Sequence, residues 1–444
     1  MTEVANRTAS ARPLPHIVTE LPGPKAREHI AIDREYVTPS LPRAYQIVPV
    51  RGDGVMVEDI DGNRFLDFAA GIAVNSTGHS HPDVVAAIAE QAATLLHCAS
   101  SDYYIPVYAE VARQLDRIAP ISGPTRAFLC NSGAEAVEAA MKLARYVTGG
   151  QNLVAFLGAF HGRTYGAMTL TGSKAKYHAH YSPLVPGVYH VPYGNAGIDE
   201  LEQRVFRRLM PAEEFAAIFV EPIQGEGGYV VPEPDFLPRL RRLCDQHGIL
   251  LVDDEIQSGM GRTGRLFAVE HSGVVPDLMC LAKALGGGIM PIGAVIGRPH
   301  VFEVFAQHPL IHTSTFGGSP LAAAVALEAI RVAIEEKLPE RAQELGQRAR
   351  QRLDAMWATY PRVIQEVRGM GLMIGIELPS AGVAGALMAE LMQRQVLAVY
   401  TLNNDRVVRL IPPLVITEAQ LDLALAAIES AAGAVDSYID ELGD

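Results

Sequence analysis

Short apolar runs alternate with amphipathic segments through the middle of the chain. Because the runs are rich in Val, Ile, Leu and Ala, they are typical of buried strands. Helical periodicity separates several of them, with one helix beginning at Ala134 and another over 235–246. This alternation predicts an α/β fold with a mostly parallel sheet covered by helices. The apolar runs occupy residues 127–130, 153–157, 217–221, 250–255, 278–282 and 292–296.

The segments on either side of this region follow other patterns. Residues 54–68 read as a β-hairpin with its turn at Asp61-Gly62, and residues 84–118 are helical in pattern. A long alanine-rich helical stretch begins at Pro320. The rest of the chain, roughly 336–444, mixes helices with short strands, so we expect it to form a separate part of the fold.

Composition narrows the class of protein. The chain has 444 residues, 49% hydrophobic and 20% charged, with a net charge of −13, which is ordinary for a globular protein of two or three domains. No long basic run is present, so nucleic acid and anionic membranes are poor candidate partners. The four cysteines are scattered, which favours reduced core residues over disulfides. No apolar stretch approaches the ~20 residues of a membrane span, and the start has no apolar signal core, so we expect a cytoplasmic protein.

A lysine and an acid lie at the ends of two apolar runs. Lys283 is followed by Gly286–Gly288, and Asp254 stands between Asp253 and Glu255. Buried strands tolerate ionised groups poorly, so this placement indicates a function. A lysine that forms a Schiff base beside an acid that holds a pyridinium proton is the arrangement that pyridoxal phosphate (PLP) chemistry needs. The structural alternatives are a surface lysine and a surface acid cluster.

The segment Asn131–Glu135 lies between a predicted strand and a predicted helix. Backbone N–H groups at the start of a helix bind phosphate, helped by the helix dipole. Ser132 and Glu135 also fit a capping box, so helix capping is the alternative interpretation. The position of the segment in the series of motifs favours a phosphate site.

In this order and spacing, the motifs resemble those of the class III aminotransferases, also called ω-aminotransferases, which are PLP enzymes of fold type I. The resemblance runs from about Pro22 to Ser430 and is strongest to 4-aminobutyrate aminotransferases, with ornithine aminotransferases and PLP-dependent racemases nearby. It implies a large domain with a mostly parallel mixed sheet and a smaller α+β domain built from both ends of the chain. The expected divisions are a flexible arm over 1–20, an N-terminal segment of the small domain over 21–75, a large PLP-binding domain over 76–335 and a C-terminal small domain over 336–444.

The resemblance also assigns the cofactor contacts. Lys283 would carry the Schiff base and then act as general base, and burial would lower its pKa. Asp254 would keep the pyridine nitrogen protonated. Thr315 would reach the phosphate of a neighbouring subunit's cofactor, which implies a homodimer with shared active sites. The other expected contacts are Ser132, Gly133 and Ala134 at the phosphate, Phe160 and Ile256 on the two ring faces, Gln257 at the phenolic oxygen, and His161 beside Phe160.

Four further residues are expected to bind the substrates. Arg163 would bind the distal carboxylate of the amino donor by a bidentate contact, unless it is a solvated loop residue. Glu226 would mask Arg409 in one half-reaction and release it in the other, although a purely structural ion pair is the alternative. Ile72 stands where ornithine-specific relatives tend to carry a tyrosine, and an apolar residue there favours 4-aminobutyrate.

We therefore expect transfer of the amino group of an ω-amino acid, by first choice 4-aminobutyrate, to 2-oxoglutarate, giving succinate semialdehyde and glutamate. An ornithine or lysine ω-aminotransferase and an amino-acid racemase are the alternatives. Gly259–Gly264 matches a dinucleotide-binding pattern, but the acids before it would repel a pyrophosphate and no suitable helix follows. The pairs His79/His81 and His178/His180 lack a convincing third ligand, so we expect no metal site.

Overall fold

The computed structural model describes residues 14–442. Its helices are α1 Pro24–Tyr36, α2 Ala70–Ala73, α3 Pro82–Thr94, α4 Pro106–Ile118, α5 Gly133–Thr148, α6 Tyr165–Leu170, α7 Asn195–Glu200, α8 Phe236–His247, α9 Pro299–Gln307, α10 Pro320–Glu335, α11 Leu338–Thr359, α12 Ala381–Gln393 and α13 Glu418–Tyr438. Its strands are β1 Pro49–Asp53, β2 Met56–Asp59, β3 Arg64–Asp67, β4 Arg126–Cys130, β5 Asn152–Phe156, β6 Val188–Val191, β7 Phe215–Val220, β8 Leu250–Asp254, β9 Leu278–Leu281, β10 Gly293–Gly297, β11 Glu366–Met370, β12 Met373–Glu377, β13 Val396–Leu397, β14 Val399–Tyr400 and β15 Val407–Leu410.

The six predicted apolar runs form strands of one seven-stranded sheet, in the order β4-β10-β9-β8-β7-β5-β6. The pairs from β9 through β6 are all parallel, whereas β10 runs antiparallel to both of its neighbours. This confirms the predicted α/β fold with a mostly parallel mixed sheet. The edge strand β6 was not predicted, because Tyr189 and His190 interrupt its apolar pattern.

Alternate residues of the central strands enter two separate cores. In β5, Leu153 and Ala155 pack on the α5 side, while Val154 and Phe156 pack into the larger cluster on the other side. This alternation is the expected result of a strand covered on both faces. Helix α5 is rich in buried alanines, which lets its backbone lie close to the sheet and fixes the position of its N-terminus.

Both ends of the described chain contribute to the smaller α+β part of the fold. Strand β13 pairs in parallel with β3, and β11, β12, β15 and β14 form an antiparallel sheet beside it. The predicted domain boundaries at 75/76 and 335/336 stay predictions. Residues 1–13 of the expected arm lie outside the described residues. Its later part is attached, since the backbone N–H groups of Val18 and Thr19 donate to Asn63 Oδ1 at 2.8 and 3.1 Å.

The glycine-rich segment Gly259–Gly264 forms a series of turns after β8 and leads to a 3₁₀ turn at Ala268–His271. Its Arg262 is fully buried and donates to the carbonyl oxygens of Leu372 and Pro412 at 3.2 and 2.5 Å. A dinucleotide-binding loop needs a helix whose N-terminus faces the pyrophosphate. Here the segment fastens the central sheet to the C-terminal part of the chain instead.

Two further expectations concern the cysteines and the membrane. Cys98 is half-buried, the other three cysteines are buried, and all four have free thiols. Within residues 14–442, no helix combines the length and the apolar character that crossing a membrane requires.

Candidate active site

A cavity of about 430 Å³ lies where several central strands end. Parallel strands bring their carboxyl ends to one edge of the sheet, which is where ligands bind in open α/β folds. Nine of the predicted site residues line the cavity: Ser132, Gly133, Ala134, Phe160, His161, Asp254, Ile256, Gln257 and Lys283. Five predicted site residues do not line it: Ile72, Arg163, Glu226, Thr315 and Arg409.

Lys283 begins a 3₁₀ turn directly after β9. Its φ of +42° is left-handed, a conformation that is costly for a lysine and that is held by the surrounding fold. Burial lowers the pKa of Lys283, while the negative charges of Glu226 and Asp254 oppose that shift. A lowered pKa increases the fraction of neutral amine, which is the nucleophilic and basic form.

Asp254 ends β8 and is held by two hydrogen bonds. His161 Nδ1 donates to Asp254 Oδ2 at 2.7 Å, and the backbone N–H of Ile256 donates to Oδ1 at 3.1 Å. Burial disfavours the charged form of His161, but the hydrogen bond and charge of Asp254 outweigh it, so the pKa of His161 lies above its ordinary value. A protonated His161 provides the positive charge that compensates a buried negative charge at Asp254. The sequence placed both residues at the cofactor but did not predict their pairing.

The acids on either side of Asp254 are buried as well, which excludes the surface acid cluster. Glu255 accepts from Ser258 Oγ at 2.5 Å and from the backbone N–H of Val269 at 2.8 Å, and burial raises its pKa to about 7. Burial also raises the pKa of Asp253 well above its ordinary value. Neither oxygen of Asp253 has a hydrogen-bond partner among residues 14–442. Only Asp254 of the three acids lines the cavity.

Helix α5 begins at the cavity, with Ser132 as its N-cap. Ser132 Oγ accepts from the backbone N–H of Glu135 at 3.2 Å. The capping box, which was the alternative interpretation, forms only in part, because Glu135 Oε2 accepts from the N–H of Asn131 at 2.8 Å rather than from that of Ser132. A Cβ at Gly133 would come within 2.8 Å of Ile256 Cδ1, so a larger residue there would have to displace the Ile256 side chain. The first amides of a helix have no intrahelical partner, and here they border the cavity.

Glu221 is a cavity residue to which the sequence assigned no role. It follows β7, and its carboxylate accepts from the backbone N–H of Phe160 at 3.2 Å and of Gly225 at 3.1 Å. Burial raises the pKa of Glu221 to about 7. The signal that could have found it is the one that found Asp254, namely an acid at the end of an apolar run.

Glu226 and Arg409 form a buried ion pair beside the cavity. Arg409 Nη1 donates to Glu226 Oε1 at 2.5 Å, and both residues are about 5% exposed or less. Glu226 also accepts from Gln257 Nε2 at 3.3 Å and from the N–H of Leu402 at 2.9 Å. Burial opposes ionisation of Glu226, but Arg409 and Lys283 lower its pKa overall. Gln257 lines the cavity and donates to Glu226, so the Gln257 side chain lies between the cavity and the ion pair.

The other three substrate or interface residues are more exposed. The Arg163 guanidinium lies over the rings of Phe160 and Tyr177, at 5.2 and 4.6 Å from their centroids. Ile72 is 39% exposed and lies in α2, where four successive residues have positive φ. Thr315 is exposed on the loop before α10. Arg163 is next to the cavity through Phe160. Thr315 does not line the cavity, but Ser314 before it accepts from Nδ2 of the cavity residue Asn131 at 2.9 Å.

The residues around the cavity fit PLP. They supply a buried amine, a buried carboxylate paired with a histidine, a helix N-terminus for a phosphate, and apolar side chains at Phe160 and Ile256 for a flat ring. Within the described chain, His161 Nε2 and Gln257 Oε1 are buried without a hydrogen-bond partner. Buried polar atoms are normally satisfied, so these two orphaned atoms indicate a polar ligand.

Comparison with known proteins gives the family. The family model described as aminotransferase class III matches residues 39–432. The chain belongs to the class III aminotransferases. It is therefore a PLP-dependent transaminase of fold type I, which confirms the expected enzyme class, cofactor and fold.

Three similar proteins are named for three different amino donors. The acetylornithine aminotransferase of Methanopyrus kandleri is 46% identical over 387 residues, covering 87% of this chain and 94% of the relative. The putrescine aminotransferase of Pectobacterium atrosepticum is 42% identical over 408 residues, covering 89% and 86%. The crystal structure of ornithine aminotransferase from Toxoplasma gondii superposes with a TM-score of 0.86 at 35% identity, covering 93% and 96%. None of these three is a 4-aminobutyrate aminotransferase, so the expected nearness to that group gains no support from them.

Proposed function

We propose that this class III aminotransferase transfers the terminal amino group of a short aliphatic ω-amino acid or diamine to 2-oxoglutarate, giving an aldehyde and glutamate. The observation that carries the proposal is the buried Glu226–Arg409 pair. While Arg409 is paired, a donor whose reacting carbon bears no carboxylate meets no unmatched charge there. When Glu226 turns away, the released guanidinium binds the α-carboxylate of the keto acid.

The residues at the cavity divide the work among them. When bound, PLP supplies an electron sink and carries the amino group between the two substrates. Lys283 takes the proton from the amino-bearing carbon of the donor, which its lowered pKa favours. Asp254, oriented by His161, holds the proton at the ring nitrogen. The amides at the start of α5 would hold the phosphate, and Phe160 and Ile256 would exclude water from the reacting atoms.

The choice among donors rests on two kinds of support. The names of the relatives favour acetylornithine, ornithine and putrescine. The apolar, partly exposed Ile72 favours a donor without the α-amino acid group of ornithine, such as 4-aminobutyrate or putrescine. All four donors present a primary amine at the end of a short chain, so general ω-transamination is the proposal that both kinds of support share.

We also propose that the enzyme is a homodimer. The loop before α10 exposes Leu310, Ile311 and Phe316 at 72%, 44% and 61%, and Tyr104 is fully exposed. Exposed apolar side chains of this size are typical of protein interfaces. Light scattering on the purified protein tests this, because a monomer at micromolar concentration would remove both the dimer and the expected role of Thr315.

A donor panel tests the proposed function. Holoenzyme is assayed for glutamate formation from 2-oxoglutarate with 4-aminobutyrate, ornithine, acetylornithine, putrescine, lysine and β-alanine. We expect turnover with at least one four- or five-carbon terminal amine and much less with β-alanine. Absence of glutamate with every donor would reject the proposal. Interconversion of enantiomers without any keto acid would establish the racemase alternative instead.

A further inference from the structure

Tyr229 lies three residues after Glu226 in the same loop and is fully buried. Its φ of +56° is left-handed, which is costly for an aromatic residue and shows that the surrounding structure fixes it. Its hydroxyl has no hydrogen-bond partner of standard geometry in the described chain. It nevertheless lies close enough to Arg409 to interact with the guanidinium. A buried hydroxyl without a partner is uncommon and requires an explanation.

The packing around Tyr229 fixes its ring against the strand that carries Arg409. Gly375 pairs directly with Arg409 across β12 and β15. A Cβ at Gly375 would come within 3.3 Å of Tyr229 Cβ and 3.0 Å of Val407 Cγ1. Tyr229 Cβ therefore lies close to the backbone of Gly375, where a side chain would be crowded. Apolar neighbours, Ile223 among them, complete the enclosure.

The charges of Arg409, Glu226 and Arg262 all act on the Tyr229 hydroxyl. The N–H groups of Arg262 already donate to Leu372 O, Pro412 O and Ser76 Oγ. Burial raises the pKa of Tyr229 above its ordinary value, so the hydroxyl stays neutral. A neutral hydroxyl has lone pairs that accept from a guanidinium, and it brings no negative charge.

The Glu226–Arg409 pair leaves one problem unsolved. Arg409 is 4% exposed, and its Nε has no partner among the residues that the structure describes. Once Glu226 turns away, the guanidinium would lose its counter-ion before a substrate carboxylate arrives, and an unpaired buried cation is strongly destabilised. A second carboxylate would solve this but would repel a dicarboxylate substrate. A neutral acceptor stabilises the released arginine without that repulsion.

We propose that Tyr229 is the positioning residue for the keto-acid half-reaction: its hydroxyl accepts a hydrogen bond from Arg409 when Glu226 withdraws and holds the guanidinium toward the substrate carboxylate. This inference rests on the proposed function, because it requires Arg409 to bind the α-carboxylate. While Glu226 is paired with Arg409, the hydroxyl lies near the guanidinium without a hydrogen bond of standard geometry, and in the state that binds 2-oxoglutarate it forms one.

The test is Tyr229→Phe in the holoenzyme, with each half-reaction followed separately by stopped-flow absorbance of the cofactor. We expect the KM for 2-oxoglutarate to rise about tenfold, the size expected for losing a hydrogen bond to a charged group. The KM for the amino donor and the rate of the donor half-reaction should stay within about twofold. Calorimetry with glutarate, a dicarboxylate that cannot react, should show the same tenfold loss of affinity.

Tyr438→Phe is the matched control, because it removes a part-buried hydroxyl that donates to Glu390 Oε1 at 3.0 Å, in the contact between α13 and α12. It should change neither half-reaction. Gly375→Ala serves as a second variant, since its methyl group would crowd Val407 Cγ1 and Tyr229 Cβ, displace Tyr229 and produce the same selective loss.

The outcomes separate this inference from the proposed function. Equal losses in both half-reactions of Tyr229→Phe, or unchanged glutarate affinity, would overturn the role of Tyr229. Wild-type holoenzyme that cannot pass an amino group from any terminal amine to 2-oxoglutarate would overturn the proposed function itself.

Discussion

The two buried charge pairs at the site are built on different parts of the molecule. Asp254 and His161 both lie on the central sheet, at the end of β8 and in the loop after β5. Glu226 and Arg409 join a loop of the central sheet to β15 of the separate antiparallel sheet. Both members of the first pair are attached to one sheet, so a movement between the sheets would not separate them. The second pair can open if the two sheets or the loop shift. We infer that the fixed pair serves both half-reactions and that the bridging pair selects between them.

Asp254→Asn should disrupt the fixed Asp254–His161 pair and have the largest effect on activity of the variants considered. Because the neutral amide cannot hold a proton at the ring nitrogen, both half-reactions should slow by about 10³-fold or more, in the range of lost acid–base catalysis. Single-turnover kinetics with donor and with keto acid measure this. Asp199→Asn, which alters only a surface ion pair with Arg239, is the control. A loss confined to one half-reaction would contradict the distinction between the pairs.

Glu226→Gln should instead act asymmetrically. With its counter-ion gone, Arg409 stays available for α-carboxylates, so glutamate should become a better amino donor while a terminal amine becomes poorer, each by about tenfold. The ratio of kcat/KM for the two donors is the measurement. Glu366→Gln, at a partly exposed ion pair with Arg368, should leave the ratio unchanged. An unchanged ratio in Glu226→Gln would make the pair purely structural.

His161→Gln tests the fixed pair through stability. The pKa of His161 is raised in the folded state, so its protonated form adds stability that is complete below the unfolded value of about 6.5 and is lost as pH rises through the higher folded value. The melting temperature of wild type should therefore exceed that of the variant by more at pH 6 than at pH 9. His29→Gln, at an exposed position of α1, is the control. A difference that grows with pH would show that His161 is neutral.

Arg163→Ala should have the smallest effect, because this side chain is exposed and its interactions are screened. If Arg163 binds the distal carboxylate, kcat/KM for 4-aminobutyrate or ornithine should fall by about fivefold, while putrescine, which has no carboxylate, should be unaffected. Arg204→Ala, at a surface pair with Glu200, controls for the loss of a charge. Equal losses for putrescine and 4-aminobutyrate would remove Arg163 from the substrate site.

The sequence predicted the site on the central sheet better than the contacts that cross between sheets. Asp254 and Lys283 could be found because each ends an apolar run, and parallel topology then brings such ends together. The pairing of His161 with Asp254 spans 93 positions in the chain and depends on tertiary packing that no local pattern records. Tyr229 could not be recognised for the same reason, since its position near Arg409 depends on packing against Gly375, which pairs with Arg409 across β12 and β15.

Secondary structure was predicted where apolar periodicity was strong and missed where it was weak. The helical pattern over 84–118 proved to be two helices, α3 and α4, with residues 95–105 between them. Pro106 at the first turn of α4 is the local signal of that second start. Strand β6 is stabilised by its parallel pairing with β5 more than by the β-propensity of its own residues. Its sequence alone therefore gave too little signal.

The parallel pairing of β3 with β13 sets an order in which the molecule can be assembled. Leu66 lies beside Val396, a partner that leaves the ribosome 330 residues later. At a synthesis rate of roughly 5–20 residues per second, β13 is synthesised about 16–66 s after β3. During that interval Phe65 and Leu66, both buried in the finished protein, must be shielded by transient contacts or by a chaperone.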